Sequence, residues 1–217
     1  MSPSDCKKTN NLQSTVVWLL ASLFSLLQFF FQVSGNMMIT PIQQEFHIGN
    51  VMLGFFNASF FAAYLLVQIP AGLLYDRFQL RRVLLSAIIL CVGSAIGFAF
   101  SHHLLLAIFW RFLMGIGSGF AFVGMVYAAN IGFSMRYFAM MVGFGEFIAM
   151  FGAAFAQSAL PHVVLNYGWR HMILLCAGFG IFLALLMAIF LKDRPCNKKF
   201  EYGLWQTLLC QLRQAAA

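Results

Sequence analysis

Of the 217 residues of this chain, 62% are hydrophobic, 17% are aromatic and only 9% are charged. A soluble domain carries about 25% charged residues, so the composition excludes an ordinary water-soluble fold and indicates a polytopic helical protein of the lipid bilayer. The net charge of +7 is therefore interpreted as positive charge kept on the cytoplasmic side of a membrane, with no nucleic-acid partner.

Six hydrophobic segments are each long enough to cross a bilayer, which takes roughly 20 mostly apolar residues. The predicted spans of this six-helix transmembrane bundle (residues 16–191) are about 16–40, 51–74, 83–101, 104–127, 138–161 and 170–191. Residues 1–15 and 192–217 are predicted to be cytoplasmic tails. The second tail includes a predicted short amphipathic helix, because its apolar residues recur at helical spacing from Leu204 to Leu212.

The Lys and Arg residues between the spans fall almost entirely on one side. Eleven of them lie in the two tails and in the turns after the second and fourth spans. The opposite side has only Arg170, and Arg111 lies within the fourth span. The positive-inside rule then predicts that both termini are cytoplasmic. The short loops favour the plasma (inner) membrane of a bacterium.

A polar stripe marks the first span. Gln28, Gln32 and Asn36 recur every four residues on an otherwise apolar helix, and Asn57 adds a polar group in the second span. Such side chains could line a central cavity and hydrogen-bond a polar solute. The alternative is that they hydrogen-bond neighbouring helices.

The segment between the second and third spans concentrates charge at one point. Gly72, Asp76, Arg77, Arg81 and Arg82 lie within eleven residues, between two long apolar runs. A bilayer core excludes such a cluster, so it is predicted to be a tight turn at a membrane face.

Two ionisable residues lie inside predicted spans, where charge is costly. At 1.5 Å per residue, Arg111 is expected roughly 10 Å from the outer face and Glu146 roughly 12 Å from the inner face. The two side chains could pair directly as a structural ion pair, or be bridged by a solute. An isolated Glu146 would instead be suited to carry a proton.

The glycines of the fourth span are interpreted as packing residues. Gly115 and Gly119 are spaced four residues apart, which gives a smooth helix face. No strand precedes them, so a dinucleotide-binding loop is not expected. The adjacent His102 and His103 do not face each other on a helix, so no metal site is expected either, and no cofactor is predicted.

Three motifs resemble those of one family. The turn at 72–82 is similar to the pattern Gly-x-x-x-Asp-Arg-x-Gly followed by basic residues, with Gln79 at the second glycine. An arginine and three glycines at 111–119, and Tyr-Gly-Trp-Arg at 167–170, are also similar to family patterns. Over nearly all of residues 15–195, the chain resembles the N-terminal six-helix half of a major facilitator superfamily transporter.

This resemblance implies secondary active or facilitative transport of a small polar or amphiphilic solute by alternating access, with a coupled proton as an option. It also implies that Asp76 contacts a helix N-terminus of a second half, as part of a latch with Arg77, Arg81 and Arg82. Gly72 would allow the close approach. The alternative is a turn that only sets orientation.

One half provides only one wall of a pathway, so we expect a second six-helix half. It could be a continuation of the chain, a partner chain or a second copy. The alternative function is a non-transporting membrane scaffold or partner subunit derived from a truncated transporter. An enzyme is not expected, because the spans contain no H-E-x-x-H motif, no paired aspartates and no G-x-S-x-G nucleophile elbow.

Overall fold

The computed structural model describes residues 11–191. In that range the chain forms seven helices, and six of them are long and apolar enough to cross a membrane. The predicted fold class, an all-helical membrane bundle of six spans, is confirmed. The predicted amphipathic helix near 204–212 lies outside the described residues. The helices are α1 (Asn11–Met37), α2 (Ile39–Phe46), α3 (Asn50–Arg77), α4 (Leu80–Ala99), α5 (Leu104–Gly132), α6 (Met135–Tyr167) and α7 (Trp169–Phe190).

Three of the spanning helices, α3, α5 and α6, extend beyond the spans predicted from hydropathy, whereas α1 and α4 end two to three residues before the predicted ends. For example, α6 has 33 residues, which is about 50 Å at 1.5 Å per residue and well over the roughly 30 Å of a hydrocarbon core. The sequence did not predict α2, an eight-residue helix between the first two spans. Each of the six long helices runs antiparallel to the next one along the chain, so the connections between them lie alternately at two opposite ends of the bundle. We call the end with the start of α1 and the end of α7 the termini end, and the end that carries α2 the distal end.

The glycines of α5 let this helix contact two neighbours at backbone distance. A Cβ atom at Gly115 or Gly119 would meet backbone atoms of α3. A Cβ at Gly117, on the other side of α5, would lie 2.9 Å from the Ala87 carbonyl oxygen and 2.8 Å from the Cys91 nitrogen of α4. Small residues on both sides thus place α5 between α3 and α4 in the core of the bundle.

Two of the spanning helices are much less covered than the others. In α3 and α6, 22% of the most apolar stretch is buried in each, against 56% in α4. The uncovered side chains are mostly large and apolar, so these faces can contact lipid or another protein. They include Phe55, Leu65, Leu66 and Ile69 of α3, and Phe144, Phe147, Phe151 and Phe155 of α6.

An arginine from each of α4 and α7 binds the carboxyl end of the other helix. Arg81, the second residue of α4, donates to the Ala188 carbonyl oxygen near the end of α7 at 2.9 Å. Arg170, the second residue of α7, donates to the carbonyl oxygens of Ala99 and Ser101 at the end of α4, at 2.9 and 3.0 Å. The carboxyl end of a helix has unpaired carbonyl groups and a negative partial charge, so both arginines stabilise this antiparallel pair.

The distal end also fixes α2 in place. Glu45 of α2 accepts a hydrogen bond from the Trp169 indole nitrogen at 2.7 Å and forms an ion pair with Arg170 at 2.5 Å. The Arg170 guanidinium lies 4.6 Å from the Trp169 ring centroid. Arg170 therefore joins α2, α4 and α7 at one point.

We expect Arg170→Gln to lower the thermal stability of the full protein in detergent. The change leaves partly buried carbonyl groups of α4 and the Glu45 carboxylate without their charged donor, a loss of about 1–3 kcal/mol. The Arg81→Gln variant should lose less, because its bond is exposed to solvent. Arg136→Gln, at an exposed arginine that contacts only the Tyr137 ring among the interactions described, is the control. Equal melting temperatures for the Arg170 and Arg136 variants would contradict this account.

Candidate functional site

Arg111 lies inside the bundle, toward the distal end of α5. It is 1% exposed, and its Nη1 donates to the Ser34 hydroxyl at 3.0 Å and approaches the Met114 sulfur at 3.8 Å. Its guanidinium carbon lies 5.0 and 5.5 Å from the ring centroids of Phe60 and Phe56. Among residues 11–191, no carboxylate forms an ion pair with it. The aromatic faces and one hydroxyl are what stabilise this buried charge.

Gly35 of α1 has no side chain, so the guanidinium and the Asn57 amide pack directly against the helix backbone there. A Cβ at this position would meet both Nη2 of Arg111 and Oδ1 of Asn57. Asn57 is partly buried on α3, and its Oδ1 accepts no hydrogen bond in the described part of the chain. The next residue along α1, Asn36, is exposed. Polar groups therefore lie both at the protein surface and beside the buried cation.

Glu146 occupies a different environment on α6. It is partly buried, and its Oε1 is enclosed without a hydrogen-bond partner among the described residues. It interacts electrostatically with Tyr64 of α3, whose hydroxyl is hydrogen-bonded to the Gln68 side chain. This carboxyl thus lies on the side of the bundle formed by the two least covered helices, α3 and α6.

The contacts along α1 give the separation in depth between the two ionisable residues. A Cβ atom at Gly145, which precedes Glu146, would lie 3.1 Å from the Ser22 hydroxyl oxygen. Ser34, the partner of Arg111, lies twelve residues further along the same helix. At 1.5 Å per residue, these two levels of α1 are about 18 Å apart.

The contacts along α5 give nearly the same value. Gly145 also packs against Met125, which follows Arg111 by fourteen residues, or about 21 Å along the helix. Arg111 and Glu146 therefore lie about 20 Å apart along the bundle. The direct ion pair that the sequence left open does not form, and one small solute cannot touch both side chains at once.

The polar stripe of α1 runs from the interior to the surface. Gln28 is 1% exposed, and its Nε2 donates to Oε1 of the partly buried Gln32 at 2.6 Å, while Asn36 is exposed. The Gln28 Oε1 atom is buried and has no partner in the described residues. The bond that these glutamines form lies within α1 and does not join two helices.

The charged turn of 72–82 lies at the termini end. Asp76 and Arg82 are exposed, whereas Arg77 is partly buried and Arg81 binds the end of α7. A Cβ at Gly72 would meet no atom within 4 Å, so no helix of this half packs closely there. The carboxylate of Asp76 is therefore exposed, and no other helix in the described part of this half packs against Gly72, one helical turn before it.

Three side chains that organise these sites were not singled out from the sequence. Tyr75 is buried and donates to the Phe120 carbonyl oxygen at 2.9 Å, which joins the charged turn to α5. Its position in an apolar helix was a signal, because a buried tyrosine hydroxyl needs a partner. Glu45 also had a signal, since it is the sole carboxylate between the first two spans and Arg170 is expected on the same side. Ser34 had none.

Comparison with solved structures supports the fold. A bacterial homologue of the human lysosomal transporter Spinster, in an inward-facing and unoccupied conformation, matches with a TM-score of 0.76 at 15% identity, over 90% of this chain and 46% of that one. The xylose transporter XylE from E. coli, in an inward open conformation, matches with a TM-score of 0.74 at 17% identity, over 94% of this chain and 56% of that one. This chain thus spans about half the length of both.

Comparison of sequences identifies the family. The uncharacterized transporter YybO of Bacillus subtilis (strain 168) is 32% identical over 108 residues, which are 48% of this chain and 25% of that protein. The family model of the Major Facilitator Superfamily matches residues 17–212. Because that match covers most of the chain and six helices can cross a bilayer, this multi-pass membrane protein belongs to the Major Facilitator Superfamily.

Proposed function

We propose that this chain is the N-terminal half of a transporter that moves a small polar or amphiphilic solute by alternating access. The observation that carries the proposal is Glu146, a carboxylate inside a spanning helix whose Oε1 atom has no partner in the described residues. An intramembrane ionisable group is costly and usually serves transport. A scaffold has no need of one.

The second wall of the pathway would be another six-helix half that covers α3 and α6. Glu146, Gln68 and Asn57 lie on these two helices, beside exposed apolar side chains that need a partner surface or lipid. In this architecture, two halves rock against each other around a site near the middle of the membrane. The continuation of the chain, a partner chain or a second copy would each supply that half.

The charged turn supports a role at the contact between the halves. With the termini in the cytoplasm, as the positive-inside rule favours, Asp76 lies at the cytoplasmic face. A helix N-terminus of the second half would attract this exposed carboxylate, and Gly72 beside it offers no side chain to obstruct the approach. We therefore assign Asp76 to a latch that holds the cytoplasmic side closed, in a bacterial inner membrane.

Electrical recording on solid-supported membranes tests this proposal without a labelled substrate. The protein, purified with whatever second half accompanies it in the cell, is reconstituted and exposed to carboxylates, phosphates, amines, amino acids and sugars. We expect a saturable current or counterflow for at least one class. Asp76→Asn should slow transport about tenfold, which corresponds to about 1.4 kcal/mol, with solute binding retained. Arg136→Gln, a charge change at the same end, is the control. No saturable transport for any class would contradict the proposal.

A further inference from the structure

The charge of Arg111 has no counter-charge in the described residues. Among the described spans, the other ionisable group deep in the bundle is Glu146, and it lies about 20 Å away along the bundle. An arginine stays protonated at any physiological pH, so the positive charge cannot be avoided by loss of a proton. A buried cation of this kind is normally paired with an anion.

One edge of the guanidinium is unused. Nη1 is directed to Ser34 and Met114. Nε is buried and donates to no atom among the described residues, and Nη2 lies beside Asn57 and Gly35. The Nε and Nη2 hydrogens point the same way, and this pair matches the two oxygens of a carboxylate or phosphate.

Asn57 and Gly35 are the immediate neighbours of that edge, and both Nη2 and the Asn57 Oδ1 atom pack against the backbone of α1 at Gly35. Gly35 contributes no side chain there, and Asn57, which is partly buried, provides an amide that can donate to an oxyanion. In the described structure the Oδ1 atom of Asn57 accepts no hydrogen bond. A flip of the amide would turn its NH₂ group toward the oxygen of an anion, and no hydrogen bond accepted by Oδ1 within the described residues would be lost.

We infer that the solute of this transporter carries an oxyanion, a carboxylate or a phosphate, which binds the Nε and Nη2 edge of Arg111 with Asn57 as a second donor. This inference rests on the proposed transport function and names its substrate class. The anion would enter between α1 and α3, where Asn36 is exposed and Asn57 is partly buried. Uncharged solutes would leave the guanidinium unpaired and bind weakly.

Asn57→Asp is the sharpest test, because it places a carboxylate of nearly the same shape beside the guanidinium. We expect the variant without solute to melt at a higher temperature than wild type and to lose anion binding at least tenfold. Asn166→Asp adds the same charge at an exposed position of α6, away from the proposed entry, and should do neither. Binding is measured on the full protein in detergent, as the shift of melting temperature with lactate, gluconate, malate or glycerol phosphate, and with xylose as an uncharged probe.

Two further variants keep the result interpretable. Gly35→Ala places a methyl group against Nη2 and Asn57 and should weaken anion binding, whereas Gly93→Ala, where a Cβ meets no atom within 4 Å, should not. Carboxylate or phosphate binding that is equal in wild type and Asn57→Asp would overturn the inference. So would binding of xylose alone, and that outcome would leave the proposed transport function intact. Saturable transport of no solute at all would remove both.

Discussion

Transport by the Glu146→Gln variant is expected to lose its dependence on pH. A carboxyl that passes between a partly dry site and water takes up and releases a proton, whereas an amide of the same shape cannot. Exchange of solute across the membrane should continue, but accumulation driven by a pH gradient should fall by tenfold or more. The measurement is uptake into liposomes between pH 5.5 and 8, with and without an imposed gradient.

Glu45→Gln is the matched control for this prediction. It removes a carboxylate of the distal end, where Trp169 and Arg170 bind it, and leaves the carboxyl of α6 unchanged. Its melting temperature should fall, but the pH profile of its transport should match that of wild type. A Glu146→Gln protein whose uptake still follows the pH gradient would contradict a proton-carrying role for Glu146.

Gly117→Val is expected to destabilise the bundle more than any other substitution proposed for the core. The first added carbon alone would lie within 3 Å of the Ala87 oxygen and the Cys91 nitrogen, and both belong to the backbone of α4. A helix backbone cannot rotate away as a side chain can, so α5 and α4 must separate. Overpacking costs about 1–3 kcal/mol, and a branched side chain against backbone lies at the upper end of that range.

Gly178→Val is the control, because it makes the same glycine-to-valine substitution inside another spanning helix, α7. A Cβ at Gly178 would meet no atom within 4 Å, so this variant should melt close to wild type. The readouts are the melting temperature and the monodisperse fraction after extraction in detergent. If the two valine variants were equally stable, α5 would not be packed against α4 as closely as the structure has it.

The fold was predictable because the bilayer imposes it. Six apolar stretches and the position of the charges define six spans, and glycines at 115, 117 and 119 indicate close helix contacts. The sequence did not show which neighbour each glycine faces. It also missed α2, since eight residues with mixed polarity look like an ordinary loop.

The candidate site was predictable only in part. Arg111 and Glu146 are conspicuous because ionisable groups rarely occur within spans. Their depths, counted from predicted span ends, suggested that they could meet, but α5 and α6 have 29 and 33 residues and extend beyond the hydrocarbon core. Spacing along α1 likewise put Gln28 and Asn36 on one face, but could not show that Gln28 is covered and Asn36 is not.

Accessibility of single cysteines to water tests the proposed pathway most directly. In the full protein in its membrane, with native cysteines replaced, a membrane-impermeant maleimide is applied from either side to Gln32→Cys, Glu146→Cys and Ile89→Cys. Ile89 is an apolar side chain that is 62% exposed on α4, a helix that is not part of the proposed pathway. We predict that positions 32 and 146 react and that position 89 does not. Unreactive cysteines at both 32 and 146 would contradict a water-filled pathway along α1 and α6.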